Sequence, residues 1–476
     1  MRRFFVKNLF FILAVNVLVK PAWFFFIDRI VQNRVGNAAY GSYQAIFNFT
    51  LILQIILDFG ISNYNSRTIA QDPDKLKSLF PVMLSARFVL MAIYTLTVFV
   101  IGWIIGIKGW LLMGIVLIQF FNMLLLYVRS NVAALHHFKV DGILSVSYNL
   151  LMILVCGFLL VYPATAHRFR IEWFVLAQVG CYSIAIIAAF IVLKRIYPIS
   201  LRLSFNGKML SKVVKESLPY ATLIFLMSIY MRVDMLLVEK LCPNGKEQTG
   251  IYAAAYRLLD VCNTFGLMFA AMLLPLFGRM LIQKKNVQPI VRVSADIIMP
   301  ISYMIAVAGV FFGSPIMHLL YTAPSAQSGL IFAWLMVSFP AFSILYVYST
   351  LLTANGDLIL LNKLAVFGVI INLGLNFYFI PHYQAVGAAF VTFVTQTALA
   401  IGFAIFSVKK INLPVNSGWL LTHLAFLALI ASLCYMVTML HVAWLSQLAI
   451  FCVISLLCMF LFRFISIRSI KLLLNK

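Results

Sequence analysis

Runs of about twenty apolar residues recur along almost the entire chain, with only short polar loops between them. A helix needs about 20 mostly apolar residues to cross the hydrocarbon core of a bilayer. The composition, 63% hydrophobic and 10% charged, is that of a polytopic membrane protein and excludes an ordinary soluble domain. About fourteen membrane-spanning helices are predicted, at residues 8–27, 42–66, 80–104, 110–134, 142–163, 172–193, 217–238, 250–277, 291–313, 327–353, 359–380, 386–408, 417–440 and 442–464.

The N-terminal run MRRFFVKNLFFILAVNVLV has the basic start and apolar centre of a signal peptide. It continues into Lys20, Pro21 and Asp28, however, and no small-x-small cleavage site follows. We interpret it as the first transmembrane helix.

The lysines and arginines are distributed as topology signals. A net charge of +23 would suggest nucleic acid as a partner, but these cations form no single basic face with interleaved aromatic residues. If the chain starts inside, 25 of the 36 cations lie in cytoplasmic segments, seven lie in outer loops and four lie within spans. Cytoplasmic loops carry the excess of Lys and Arg, so both termini are predicted to be cytoplasmic.

The longest loop is basic and divides the chain. Residues 1–195 are predicted to form an N-lobe of helices 1–6, followed by a cytoplasmic linker at 196–216. The residues after the linker form an eight-helix half. No soluble domain is inserted, and the phosphate loop and the HExxH and GxSxG elements are absent, which argues against ATP-driven transport by this chain and against an enzyme. No cofactor is predicted.

The cysteines do not form a metal site or a disulfide framework. They number seven and show no C-x-x-C spacing, and most lie in apolar spans. We interpret them as packing residues.

An internal repeat marks the entry to the second helix of each lobe. GNAAYGSY at residues 36–43 and GKEQTGIY at residues 245–252 both read G-x4-G-x-Y. Both copies lie in outer loops that lead into inward-running helices, so they have the same orientation across the membrane. Such a parallel repeat is typical of transporters that rock two lobes around a central site.

Three cations within the spans share a depth. Lys20, Arg232 and Arg257 lie seven or eight residues from the outer ends of helices 1, 7 and 8, about 10 to 12 Å below the boundary. A charge at the bilayer centre costs about 2.5 to 3.5 kcal/mol, so it is expected to be functional or paired. These residues are the candidates for an anion-binding cavity between the lobes, with Lys20 also able to snorkel outward.

Three acidic residues are candidate counter-ions or coupling-ion sites, with the counter-ion role favoured: Asp58, Asp234 and Asp260. Arg257 and Asp260, at i,i+3, can touch on one helix, whereas Arg232 and Asp234, at i,i+2, cannot.

The secondary candidates are Arg87, Asn372 and Asn376. Arg87 is expected to snorkel to the cytoplasmic interface rather than line an inner cavity. The two asparagines, four residues apart, could contact sugar, but packing between helices is favoured. His318, His423 and His441, near helix ends, are expected to be interfacial.

The chain also resembles a known family through the ordered segments KNLFFILAVNVLVKPAWFFFIDRIVQNRVGNAAYGSYQ, ILDFGISNYNSRTIA, YMRVDMLLVEK, GIYAAAYRLLD, LLTANGD and NLGLNFYFIPHYQAVGAAFVT. They look like the polysaccharide transporters of the multidrug/oligosaccharidyl-lipid/polysaccharide exporter superfamily, the bacterial flippases for O-antigen, capsule or exopolysaccharide repeat units.

The resemblance implies an all-α fold of two pseudo-symmetric six-helix lobes plus two C-terminal helices. On that plan residues 217–410 form a C-lobe of helices 7–12, and residues 411–476 form helices 13 and 14 and a basic tail. The resemblance also implies alternating access and a polyprenyl-diphosphate-linked oligosaccharide as cargo in the bacterial inner membrane, within O-antigen lipopolysaccharide, capsule or exopolysaccharide synthesis. It leaves open coupling to protons, sodium or membrane potential. Polysaccharide polymerase and chain-length proteins are candidate partners.

In related lipid II flippases a cationic cavity built largely by helices 1, 2, 7 and 8 receives the diphosphate, and Lys20, Arg232 and Arg257 occupy matching helices. Helix 1 supplies a lysine instead of an arginine, which weakens the case for a bidentate phosphate clamp there.

Three alternatives remain. A multidrug exporter of the same superfamily would need an acidic cavity for cationic drugs, whereas this cavity would be basic. A membrane polysaccharide polymerase or ligase would need a large outer loop with catalytic residues, and the outer loops here are short. A scaffold for glycan assembly would leave the intramembrane charges unexplained.

Overall fold

A computed structural model describes residues 15–16, 18–199, 203–204, 207–414 and 417–464. The start of predicted helix 1, parts of the basic linker and the basic C-terminal tail lie outside the described residues. The described part is almost entirely helical and contains no strand.

The helices are numbered here by membrane crossing. Their bounds are α1 at 18–35, α2 Asn37–Leu57, α3 Leu76–Ile104, α4 Trp110–Ala134, α5 Phe138–Val161, α6 Ile171–Ile196, α7 Gly207–Leu241, α8 Gly245–Ile282, α9 Gln288–Leu320, α10 Ser328–Asn355, α11 at 358–383, α12 at 385–411, α13 Ser417–Thr438 and α14 Trp444–Leu461. Short helices at Ile61–Gln71 and Pro163–Ala166 and a 3₁₀ turn at Pro73–Lys75 complete the described elements.

Twelve of the described helices are long and apolar enough to cross a membrane. One of them, Leu358–Ile411, has 54 residues and would be about 81 Å long if straight, far more than one crossing needs. Gln384 interrupts it with φ 52° and ψ −136°, which makes it the two crossings α11 and α12. With α1, the predicted all-α, polytopic architecture of about fourteen helices is confirmed, and the protein is a multi-pass membrane protein.

The contacts of the chain form two compact units, Met1–Glu239 and Lys240–Lys476, here called unit 1 and unit 2. By this division nearly all of α7 belongs to unit 1. The predicted lobe limits at residues 195 and 217 stay predictions.

Unit 1 is organised around α4, which packs against α6, α5 and the short helix Ile61–Gln71. Gly36, with φ 85°, makes the turn between α1 and α2, a conformation that glycine adopts without the steric cost of a Cβ. In unit 2, α10 lies among α8, α9, α11 and α12, and α13 packs on α9 and α14. Gly266 faces Tyr346 and Gly309 faces Met336 with no room for a Cβ, so small residues bring these apolar helices close together.

Predicted helix 2 is not one uninterrupted span, which corrects the prediction of 42–66. Its last turn, Gln54–Leu57, tightens to a 3₁₀ helix, and Phe59 and Gly60 then adopt φ 38° and φ 79°. Left-handed conformations cannot continue a right-handed helix, so the chain breaks at Asp58–Gly60 and helix resumes at Ile61.

Candidate functional site

A buried arginine occupies the break in helix 2. The Arg87 guanidinium, on α3, donates from Nη2 to Asp58 Oδ1 at 2.6 Å and to Ser62 Oγ at 2.8 Å. Its Nη1 lies 3.4 Å from the carbonyl oxygens of Leu57 and Met123. Irregular backbone at membrane depth requires protein partners for its polar groups, and Arg87 supplies them where the helix ends.

Two further contacts complete this cluster. The Tyr127 ring lies under the guanidinium, 4.5 Å from the carbon atom to the ring centroid. The same Asp58 oxygen accepts from the Ser62 hydroxyl at 2.7 Å and from its backbone N–H at 3.2 Å, so it also caps the helix that begins at Ile61. Asp58 is therefore the counter-ion of Arg87. The expectation that Arg87 snorkels to the interface is wrong, because its side chain is only 2% exposed.

A chain of buried polar groups runs along α1 and α2 of unit 1. Tyr40 Oη donates to Asp28 Oδ2 at 2.7 Å, and Gln44 Nε2 donates to Tyr40 Oη at 2.8 Å. Asn48 Nδ2 donates to the Gln44 carbonyl at 2.8 Å and lies 2.9 Å from Met235 Sδ on α7. The chain therefore links a buried carboxylate on α1 to α7.

Asp28 closes a π-helical turn, Phe24–Asp28, in the middle of α1, and its side chain is buried. π-turns inside α-helices are frequent at functional sites. From the sequence, Asp28 served only as a residue that argues against a signal peptide. Its position directly after the apolar run WFFFI was the signal that could have identified it.

Arg232 is close in sequence to the α7 residue that this polar chain contacts. It precedes Met235 by three residues, so the two share a face of α7, and Met235 is the residue that Asn48 contacts. Arg232 is half-buried and Asp234 is 2% exposed. Lys20, on α1, is exposed. Unit 1 thus places one candidate cation next to buried polar groups and the other at its surface.

In unit 2, Arg257 and Asp260 lie on α8 three residues apart, and both are half-buried. Asn372 and Asn376, on α11, are fully buried, with Asn376 Nδ2 donating to Asn372 Oδ1 at 3.1 Å. This burial suits the packing role that the sequence favours for the asparagines.

The two copies of the G-x4-G-x-Y repeat make equivalent contacts. In unit 1, the Tyr43 hydroxyl bonds to the side chain of Gln178, the eighth residue of α6, with Gln178 Nε2 donating at 3.0 Å. In unit 2, the Tyr252 hydroxyl lies 3.1 Å from Thr392 Oγ1, on the eighth residue of α12. The repeat therefore ties α2 to α6 and α8 to α12. Each helix of the second pair follows its counterpart in the first by six in chain order, which supports a parallel duplication of six helices.

Sequence reasoning also missed a cluster between α9 and α13. Trp419 Nε1 donates to Asp296 Oδ1 at 2.6 Å, and His423 Nε2 lies 3.1 Å from the same oxygen. His423 is completely buried, whereas His318 and His441 are exposed. The interfacial depth expected of these three histidines stays a prediction. Asp296 lies 127 residues before His423, and no local pattern signals this pairing.

Solved membrane transporters share this fold. The lipid II flippase MurJ in an inward closed conformation superimposes with a TM-score of 0.68 at 14% identity, over 96% of this chain and 97% of that chain. A multidrug resistance MATE family transporter of the MOP superfamily, inward-facing, gives 0.59 at 13% identity over 85% and 98%. A MOP superfamily transporter from Pyrococcus furiosus, described as having a binding pocket of reverse polarity, gives 0.58 at 15% identity over 85% and 94%.

At these identities the similarity shows the fold, which is that of the MOP superfamily transporters. No curated protein sequence matches the chain. The sequence model of one family, described as polysaccharide biosynthesis protein, matches residues 5–281, more than half of the 476 residues. The chain therefore belongs to the polysaccharide biosynthesis protein family.

Proposed function

We propose that the protein is a flippase that moves polyprenyl-diphosphate-linked oligosaccharide repeat units from the cytoplasmic to the outer leaflet of a bacterial inner membrane. The product would supply surface polysaccharide such as O-antigen, capsule or exopolysaccharide. Membership in a polysaccharide biosynthesis family and the transporter fold both support this proposal. The observation that carries it is the pair of intramembrane arginines, Arg232 in unit 1 and Arg257 in unit 2, each half-buried on a membrane-spanning helix.

The physical argument concerns the charge of the cargo. A diphosphate loses its hydration when it enters a low-dielectric pathway, and that cost is offset only where the pathway supplies cations. Buried cations in turn need an anion, which the cargo provides during transport. In this mechanism Arg232 and Arg257 bind the diphosphate, Lys20 contributes a third charge, and alternating access exposes the site to each leaflet in turn.

Charge also separates this function from the alternatives. A multidrug exporter for cationic compounds would require acidic side chains in the places that these arginines occupy. The alternative that is not a transporter, a polysaccharide polymerase or ligase, is distinguished from a flippase by the following experiment.

The function is tested by deleting the gene and locating the lipid-linked oligosaccharide in intact spheroplasts with a membrane-impermeant glycan-modifying enzyme. A flippase predicts that unpolymerised repeat units accumulate protected from the enzyme and become accessible on re-expression. Accessible but unpolymerised or unattached units in the deletion strain would exclude the flippase and favour the polymerase or ligase.

The orientation proposed here, with both termini cytoplasmic, is tested by cysteine labelling. All seven native cysteines are free, so they are first replaced by alanine or serine. Lys108 and Lys284 are both exposed, in the loops after α3 and α8. In intact spheroplasts we expect Lys108→Cys to react with a membrane-impermeant maleimide, and Lys284→Cys to react only after permeabilisation. The opposite pattern would invert the topology and the direction of transport.

A further inference from the structure

A cavity of about 490 Å³ lies in unit 2 where the ends of α9, α10, α12 and α13 meet. Its wall is mainly apolar, with Val291, Ile405 and Leu413 among the lining side chains, and two cations, Arg292 and Lys409, also line it. Small-molecule pockets have volumes of about 300–1,000 Å³, so this one can hold part of a small amphiphile.

Buried hydrogen bonds shape the walls of this cavity. The indole of Trp419 is held by its 2.6 Å bond to Asp296, which the fully buried His423 also contacts. Ser407 Oγ donates to the carbonyl of Tyr348, another lining residue, at 3.2 Å and ties α12 to α10. The Trp419 and Tyr348 walls are therefore set by contacts within the protein and do not need a ligand to form.

Both cationic side chains are accessible to an anionic ligand. The Arg292 side chain is 52% exposed, and its Nε lies 3.9 Å from Asp296 Oδ2, beyond hydrogen-bond distance. Lys409 is exposed, whereas the next residue, Lys410, pairs with Asp357 at 3.4 Å and does not line the cavity. The lining thus presents two cations beside an apolar wall.

The surroundings indicate which amphiphile fits. Ile405 and Leu420 are about half exposed although they are large and apolar, as expected of side chains that face lipid. The loop charges predict that this end of the helices lies on the cytoplasmic side, and basic pockets between helices on that side bind anionic lipid head groups.

We propose that this cavity binds one anionic glycerophospholipid of the inner leaflet. Its phosphate lies between Arg292 and Lys409, and an acyl chain lies along the apolar wall formed by α9, α12 and α13. The site is independent of the cargo and of the transport function proposed above.

The test is native mass spectrometry of the purified full-length protein titrated with phosphatidylglycerol, and in parallel with phosphatidylcholine. Each cation near an anionic head group contributes about fivefold in affinity. We therefore expect the double substitution Arg292→Gln/Lys409→Gln to weaken binding of the first phosphatidylglycerol by about 30-fold and to leave phosphatidylcholine binding unchanged.

The matched control is Lys284→Gln/Lys285→Gln, which removes two exposed cations from the loop before α9 without touching the cavity. This variant is expected to bind phosphatidylglycerol as the wild type does. A second variant, Ala404→Phe, fills the cavity without changing charge and is expected to lose the same lipid. Equal loss in the control, equal affinity of the wild type for both lipids, or displacement of phosphatidylglycerol by equimolar polyprenyl phosphate would overturn the proposal.

Discussion

Replacement of Arg87 by alanine is expected to destabilise the protein by about 3–5 kcal/mol, because removal of one partner leaves the Asp58 carboxylate, whose side chain is only 13% exposed, without its counter-ion. The substitution also removes the donors that face Leu57 and Met123 at the break in helix 2. The measurement is unfolding of the purified protein in detergent, by heat or denaturant.

Lys75→Ala is the matched control for this experiment. Lys75 also pairs with an aspartate, Asp72, at 3.5 Å, but the two side chains are 56% and 44% exposed. Exposed ion pairs contribute about 0–1 kcal/mol, so this variant should unfold nearly as the wild type does. The double variant Asp58→Asn/Arg87→Met should recover part of the loss from Arg87→Ala, since it leaves no unpaired charge. A loss below about 1 kcal/mol in Arg87→Ala would show that the pair does not hold the broken helix together.

Replacement of Arg232 by alanine is expected to reduce transport of the lipid-linked oligosaccharide by about 100-fold, the effect typical of removing one preorganised donor from an anion in a dry site. The protein should remain in the membrane at its normal level, because Arg232 is only half-buried and α7 keeps its apolar contacts. The readout is the spheroplast assay, with membrane abundance and thermal stability measured on the same preparations.

Two variants separate charge from geometry at this position. Arg232→Lys keeps the charge but replaces a planar fork with a point charge, so intermediate transport is expected. Lys240→Ala removes an exposed cation from the end of the same helix and should transport normally. If Arg232→Ala is fully active, Arg232 does not bind the cargo and the proposed cationic site loses its main residue.

Hydropathy predicted the number of helices correctly because a membrane span is a local property of about twenty residues. The G-x4-G-x-Y repeat was equally visible, since both copies lie in contiguous segments. The hydrogen-bond partners of its tyrosines, Gln178 and Thr392, lie 135 and 140 residues away, and only folding showed that the two contacts are equivalent.

Buried charges were the least predictable feature. The sequence shows that a charged residue lies within an apolar span. Whether its side chain snorkels to the interface or pairs with another group depends on the residues that neighbouring helices place beside it. Arg87 pairs with a carboxylate 29 residues away because helix 2 breaks at Asp58, and that break depends on backbone angles at Phe59 and Gly60.

The sequence by itself determined the membrane environment, the number of crossings and the duplicated plan, because each follows from apolar length or from a short local pattern. Three features were visible only in the tertiary structure. They are the contact between α7 and the polar chain of Asp28, Tyr40, Gln44 and Asn48, the Arg87 cluster, and the cavity lined by Arg292 and Lys409. These features join side chains from helices far apart in the chain. Their physical basis is the requirement that polar groups in a low-dielectric interior find partners, and only packing determines which partners are within reach.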